Sequence, residues 1–167
     1  NVILIDVEKN KNKKLELELT KKYNTTPKAF STDISDPKEM SQLIKNILKK
    51  FRTIDVLINN AQFLPKTDRM RDASFEKYPF ELWNKTISKN LNGVFLTSKE
   101  IGRIMIKQRH GIILNISSIY GIQGPDQSIY GDSRLNSPAF YSVTKGGIVS
   151  LTRYLAALWS KKASILD

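Results

Sequence analysis

Short apolar runs alternate along this chain with longer stretches whose apolar residues recur at helical spacing. Val2-Ile3-Leu4-Ile5 is continuous and ends on Asp6. Ile54 to Ile58 is a similar run ending on Asn59-Asn60, and Ile112 to Ile116 leads into Ser117-Ser118. Such runs suit parallel strands covered on both faces. Lys28 to Thr32, closed by Asp33, gives a weaker strand pattern. Between the strands, Lys9 to Tyr23 reads as a helix, although Leu15, Leu17 and Leu19 alternate and leave a strand open. Asp36 can cap the next helix and Pro37 suits its first turn. Met40, Leu43, Ile44, Ile47, Leu48 and Phe51 then form one apolar stripe. Leu82 to Gln108 reads as a single long helix, with Trp83, Ile87, Leu91, Val94, Ser98, Ile101 and Met105 in period and His110-Gly111 as its stop. A Gly/Pro/Asp/Ser-rich loop from Gly121 to Pro138 precedes a last helix, from near Phe140 to about Trp159.

Strand and helix thus alternate repeatedly, without internal repeats. The pattern predicts an α/β fold, a parallel sheet with right-handed crossovers, in a single domain over residues 1–167. Ligands of such sheets bind beyond the carboxyl ends of the strands. Asp6, Asp33, Asn59, Asn60, Ser117 and Ser118 all follow the last apolar residue of a strand, and so are expected on one rim.

Composition narrows the chemistry. Apolar residues make up 40% and charged residues 26%, a globular rather than a disordered balance. No apolar run approaches the ~20 residues that a membrane span needs, and the opening residues do not read as a secretory signal. With no cysteine and His110 as the one histidine, thiolate and multi-histidine metal sites are excluded. A cytoplasmic location is expected. The net charge is +11, from 27 basic and 16 acidic side chains. The lysines are dispersed over what read as solvated helix faces, from Lys9, Lys11, Lys13 and Lys14 to Lys161 and Lys162. No recognition helix, zinc motif or aromatic-basic stripe accompanies them, so nucleic acid is not the expected partner.

Tyr141-Ser-Val-Thr-Lys145 sets a phenol and an ammonium at i and i+4, on one face of the last helix. A free phenol titrates near 10, too high for a base at neutral pH, and a neighbouring cation favours its ionised form. The pair suits proton exchange with an alcohol or ketone. Ser118, at a strand end, can donate to a developing oxyanion. Gly121 permits a tight turn after it, and Gly146-Gly147 removes bulk beside Lys145. Ser117, one residue off, should point to the other face.

Asn59-Asn60-Ala61, Asn90, Ile116-Ser117-Ser118-Ile119-Tyr120-Gly121 and Tyr141-Ser-Val-Thr-Lys145-Gly146-Gly147 occur in the order found in short-chain dehydrogenases/reductases. The chain resembles that family over essentially its whole length. The resemblance implies a Rossmann-type doubly wound sheet, a bound NAD(H) or NADP(H), and hydride transfer to or from a carbonyl carbon. Tyr141 would then be the general acid/base. Lys145 would make that phenol more acidic and hold the nicotinamide ribose, and Ser118 would orient the substrate oxygen. Asn90 matches the family's asparagine in a water-mediated proton path. Asn59, Asn60 and Ala61 match the segment beside the adenosine half, and Asp33 with Ile34 the pair that contacts the adenine. Asp6 implies NAD rather than NADP, because a strand-end carboxylate accepts from both ribose hydroxyls and repels a 2′-phosphate.

The chain also departs from the family pattern. The glycine-rich phosphate turn would fall before Asn1 and the last strands after Asp167, so the domain is expected to be incomplete, lacking its first strand-helix unit and its last strands. The absent first strand would sit between Val2–Ile5 and Ile54–Ile58. Gln62 replaces a glycine, and the loop between Ser118 and Tyr141 is longer than usual. That loop carries Asp126, Gln127, Tyr130, Asp132, Arg134 and Asn136, a polar set suited to a hydroxyl-rich ligand. Its wording resembles oxidoreductases of flagellin modification and nonulosonate sugar biosynthesis, which implies a sugar phosphate or nucleotide sugar as substrate. Tyr130 and Arg134 are a decoy of the Tyr-Lys pair, in a stretch where Gly131 and Pro138 disfavour helix. A reductase of fatty-acyl or small-alcohol type and a non-catalytic truncated remnant remain as alternatives. Phe95, Leu96, Ile104, Leu151, Tyr154, Leu155 and Leu158 place apolar residues on more than one side of the two long helices, more surface than one monomer is expected to cover; in the family that the chain resembles these helices build the dimer or tetramer core, which implies a homodimer or homotetramer. His110 reads as a helix C-terminal residue favoured by the dipole.

Overall fold

The alternating patterns fold into strands and helices in the order expected. The computed structural model describes residues 1–65, 73–133 and 135–160. In chain order these form β1 (Ile3–Asp6), α1 (Lys9–Tyr23), β2 (Lys28–Ser31), α2 (Pro37–Phe51), β3 (Val56–Asn59), α3 (Phe80–Ile87), α4 (Gly93–Gln108), β4 (Ile112–Asn115) and α5 (Ala139–Trp159).

Helix α2 follows its sequence signals closely. The Asp36 carboxylate accepts from the Lys38 and Glu39 N–H groups at 2.7 and 3.0 Å, satisfying donors that the first turn leaves open. Met40, Leu43 and Ile47 of its stripe are buried against Ile54, Leu57, Ile101 and Met105, and this cluster between α2, β3 and α4 is the core. Helix α1 is different. Its buried residues are Asn12 and Glu16, while Leu15 and Leu17 are exposed. The Asn12 amide donates to the carbonyls of Leu4 and Phe30 at 3.2 and 2.9 Å, and Glu16 accepts from the Ala29 N–H. Backbone groups of both strands are thus served by helix side chains, which is why polar residues occupy the inner face.

Two expectations are corrected. The stretch expected as one long helix is broken by a π-helical turn, Ser88–Asn92, between α3 and α4. The strands are also shorter than their apolar runs. Ile54 lies outside β3 because the Gln108 side chain takes its backbone, accepting from the Ile54 N–H at 3.1 Å and donating to its carbonyl at 2.9 Å. Helix α4 ends as read, with Arg109 left-handed at φ 60 and Gly111 at φ 157.

The expected sheet is present as two parallel pairs. β1 pairs with β2 from Ile3↔Lys28 to Asp6↔Ser31, and β3 with β4 from Val56↔Ile112 to Asn59↔Asn115. Among the described residues no ladder joins the pairs. Between β1 and β3 lies a cleft of about 560 Å³ whose walls include Ile3, Ile5, Val56 and Ile58. This is where the family's strand order puts the first strand. On β3–β4, Leu57 turns into the core, while Val56, Ile58, Ile112 and Leu114 are exposed on the opposite face.

Candidate active site

The last helix and the end of β4 meet at Lys145. Lys145 is buried, at 8% exposure, and its Nζ donates to the Ile116 carbonyl at 2.8 Å. The same Nζ lies 5.8 Å from the centroid of the Tyr141 ring, one turn earlier on α5. Tyr141 itself is half-buried, so its ring is supported without being sealed in. The Ser118–Gly121 turn rests directly on this part of the helix. A Cβ on Gly121 would stand 2.7 Å from the Lys145 carbonyl, so only glycine allows that approach.

Each serine has its own partner. The Ser117 hydroxyl donates to the Lys145 carbonyl at 2.8 Å and ties strand end to helix. Ser118 caps the following short turn by accepting from the Tyr120 N–H at 3.2 Å. A hydroxyl also carries a donor, and Ser118's is committed to no acceptor among the described residues. Tyr120 then sets its ring edge-on to Tyr141, centroids 6.4 Å apart at 83°. Tyr120 and Tyr141, 21 apart in sequence, are so drawn together by one turn packed on one helix.

Asp6, Ile34, Asn59, Asn60 and Ala61 all line the cleft. Asp6 is exposed at its end, and one of its oxygens accepts from the Glu8 N–H at 2.8 Å. Asn59 differs from its neighbours. It is buried, it donates to Asn115 and Ser98 at 2.8 and 3.1 Å, and it accepts from Thr97 at 2.7 Å. Asn115 in turn donates to Thr152 of α5 at 2.9 Å. Both ends of the Asn59 amide are therefore spent inside the fold, tying β3, β4, α4 and α5 together, and Asn60 and Ala61 form the exposed part of that segment.

Asn90 sits in the π turn, not in a regular helix. Its amide accepts from the Phe63 N–H at 2.7 Å and donates to the Phe63 carbonyl at 3.0 Å, clamping the chain after β3. Asp33 is held from the same turn, by the Lys89 ammonium, and also accepts from Ser35. Burial works to raise the Asp33 carboxyl, but the hydrogen bonds from Lys89 and Ser35 outweigh it and hold it below the usual range. His110 follows α4, as its reading as a C-terminal residue requires, and its ring meets Asp55 at 3.0 Å. That bond, with one to the Gln108 carbonyl, raises the imidazole above its ordinary value.

Much of the polar loop is engaged in building itself. Asp126 accepts from Ser128, Gln127 exchanges two hydrogen bonds with the Ser137 backbone at 2.9 and 3.0 Å, and Asn136 donates to the Ala73 carbonyl. Tyr130 and Asp132 lie in a short 3-10 segment, Gln127–Ser133, kinked at Gly131. Arg134 lies outside the described residues, as do Lys161 and Lys162. Sequence reading missed Lys89, Tyr120 and Asn115. The signal for Asn115 was present: it is a polar residue interrupting an apolar strand, in register with Asn59.

A family model described as short chain dehydrogenase matches residues 1–165. The chain belongs to the short-chain dehydrogenase/reductase family. It is 36% identical over 129 residues to a 3-oxoacyl-[acyl-carrier-protein] reductase of Synechocystis, covering 77% of this chain and 45% of the relative. It is 33% identical over 136 residues to a sorbitol-6-phosphate 2-dehydrogenase of Klebsiella pneumoniae, covering 80% of this chain and 46% of that one. Among solved structures, an NAD+-bound xylitol dehydrogenase superposes with a TM-score of 0.83 at 24% identity, over 99% of this chain and 56% of the other. The last of these supports the Rossmann-like fold alone. This member of the family spans about half the length of the curated relatives it matches.

Proposed function

We propose that residues 1–167 belong to a nucleotide-binding domain carrying the catalytic face of an NAD-dependent oxidoreductase that interconverts an alcohol and a carbonyl. The observation that carries this reading is the meeting of Tyr141, Lys145 and the Ser118 turn on α5. In the oxidising direction Tyr141 Oη takes the hydroxyl proton, and in the reducing direction it returns it to the carbonyl oxygen. Ser118 donates its unused proton to that oxygen and fixes its place. Lys145, held by the Ile116 carbonyl, keeps a cation beside the phenol as charge develops there. When bound, a nicotinamide dinucleotide supplies the hydride acceptor or donor.

The residues of the cleft suit the adenosine end of that cofactor. Asp6 presents a carboxylate for ribose hydroxyls, Ile34 an apolar surface for a base, and Asn60 and Ala61 an exposed edge. The Asp6 carboxylate supports NAD over NADP, because a 2′-phosphate would meet a like charge. Asn90 supports the site from behind, by holding Phe63.

The substrate we assign is a sugar derivative, a sugar phosphate or nucleotide sugar, as in flagellin or surface-glycan modification. The polar loop, suited to a hydroxyl-rich ligand, and the similarity to a sorbitol-6-phosphate 2-dehydrogenase support it. The similarity to an acyl-carrier reductase favours a second reading, a β-ketoacyl substrate. Exposed Phe95, Tyr154 and Leu158 on α4 and α5 support assembly as a homodimer or homotetramer. No described helix is long and apolar enough to cross a membrane, and a cytoplasmic site of action completes the reading. Turnover assays with NAD and with NADP, against a panel of sugar phosphates, nucleotide sugars and acetoacetyl thioesters, test it. The reading expects turnover with NAD and a sugar derivative. Turnover confined to the thioesters would transfer the assignment to the acyl class, and faster turnover with NADP would overturn the role of Asp6.

A further inference from the structure

The π turn Ser88–Asn92 touches both halves of the site. Asn90 clamps Phe63. Leu91 lies 3.0 Å from where a Cβ on Gly147 would stand, two residues beyond Lys145, and a Cβ on Gly93, the first residue after the turn, would stand 3.0 Å from Ile34. From the same turn Lys89 crosses to the end of β2, where its ammonium pairs with Asp33 and donates to the Ser35 hydroxyl at 2.9 Å. The two partners are 56 residues apart and about one-third exposed.

An ion pair this exposed contributes little to stability, so its use lies in geometry and charge. The rim it serves is acidic. Thr32 bonds its N–H to the Asp6 carbonyl, so Asp33 lies just past the last β1–β2 pair, and the Asp33 N–H donates to the Glu39 carboxylate at 2.7 Å. Asp6, Asp33 and Glu39 thus gather where an anionic dinucleotide would place its adenosine. Lys89 cancels the middle charge and leaves Asp6 to receive hydroxyl groups. It also pins Asp33 beside Ile34, which lines the cleft.

We propose that Lys89 is a positioning residue for the adenosine half of the cofactor: it fixes the Asp33–Ile34 corner and neutralises one carboxylate of an acidic rim. This inference rests on the nucleotide-binding reading above. The test is equilibrium binding of NAD and of adenosine monophosphate to the full chain and to Lys89→Met and Lys89→Arg, with thermal melts of each to show that it folds. Lys89→Met is expected to weaken both ligands about tenfold, and Lys89→Arg to restore binding. With turnover as a second readout, KM for NAD should rise while kcat holds. Equal binding by Lys89→Met and wild type, or Lys89→Arg as weak as Lys89→Met, would overturn the inference alone. A wild-type chain indifferent to both ligands would overturn the nucleotide reading and this role with it.

Discussion

Asn59 shows how one side chain can look like a ligand group and act as a strut. Its amide joins Thr97, Ser98 and Asn115, three partners on two elements. Replacing it by leucine leaves several buried polar atoms unpaired, and each such atom costs roughly 1–3 kcal/mol. Asn59→Leu should therefore lose about 2–4 kcal/mol in urea unfolding, whereas Asn60→Leu, exposed at the next position, should lose almost nothing. The sequence marked both as polar groups ending a strand but could not tell them apart, because facing depends on where the ladder stops. Titration at the residue scale separates two further groups. The His110 value is raised, so its bond to Asp55 stabilises fully below the ordinary histidine value and is lost as pH rises through the folded one. Asp33 is lowered, so its contribution is present above the ordinary carboxylate value and fades as pH falls through the folded one. NMR titration of the His110 ring should report the upward shift, and His110→Gln should remove the dependence between the ordinary histidine value and the raised folded one.

Among the elements, α2 was legible almost to the residue, because cap, first-turn proline and stripe agree. The π turn was not. Apolar residues keep a helical period straight through Leu82 to Gln108, and one locally wider turn does not disturb that period enough to be read. What reveals it is the work its residues do, Lys89, Asn90 and Leu91 reaching Asp33, Phe63 and Gly147 from neighbouring positions. The inner face of α1 was hidden for the opposite reason: its leucines point outward and its contacts are hydrogen bonds. Helix-to-helix packing yields a sharp prediction. A Cβ on Gly102 of α4 would stand 2.3 Å from the ring of Trp159 on α5, which is buried. Gly102→Ala should cost about 1–3 kcal/mol and shift Trp159 emission, read in a Trp83→Phe background. Unchanged emission would mean that the two helices do not pack as described.

At the scale of the whole molecule, the fold class followed from the alternation of strand and helix and the Tyr141–Lys145 pair from helical spacing, whereas bringing the Ser118 turn to that pair was implied by the resemblance. The division of the sheet followed only from the family's strand order, since nothing local in Val2–Ile5 or Ile54–Ile58 says which strand should lie between. Among the described residues no ladder covers the inner edges of the two pairs, and Val56, Ile58, Ile112 and Leu114 are exposed on one face. Open edges and faces of this kind favour association. Sedimentation of the chain should show concentration-dependent mass, and Ile58→Lys, on the open face, should reduce it. The account as a whole stands on proton transfer by Tyr141. Its most direct test is the turnover of an alcohol with NAD by wild type and Tyr141→Phe at matched folding. Loss of about a hundredfold or more in kcat is expected when a general acid/base is removed, and a phenylalanine variant that turns over at the wild-type rate would contradict it.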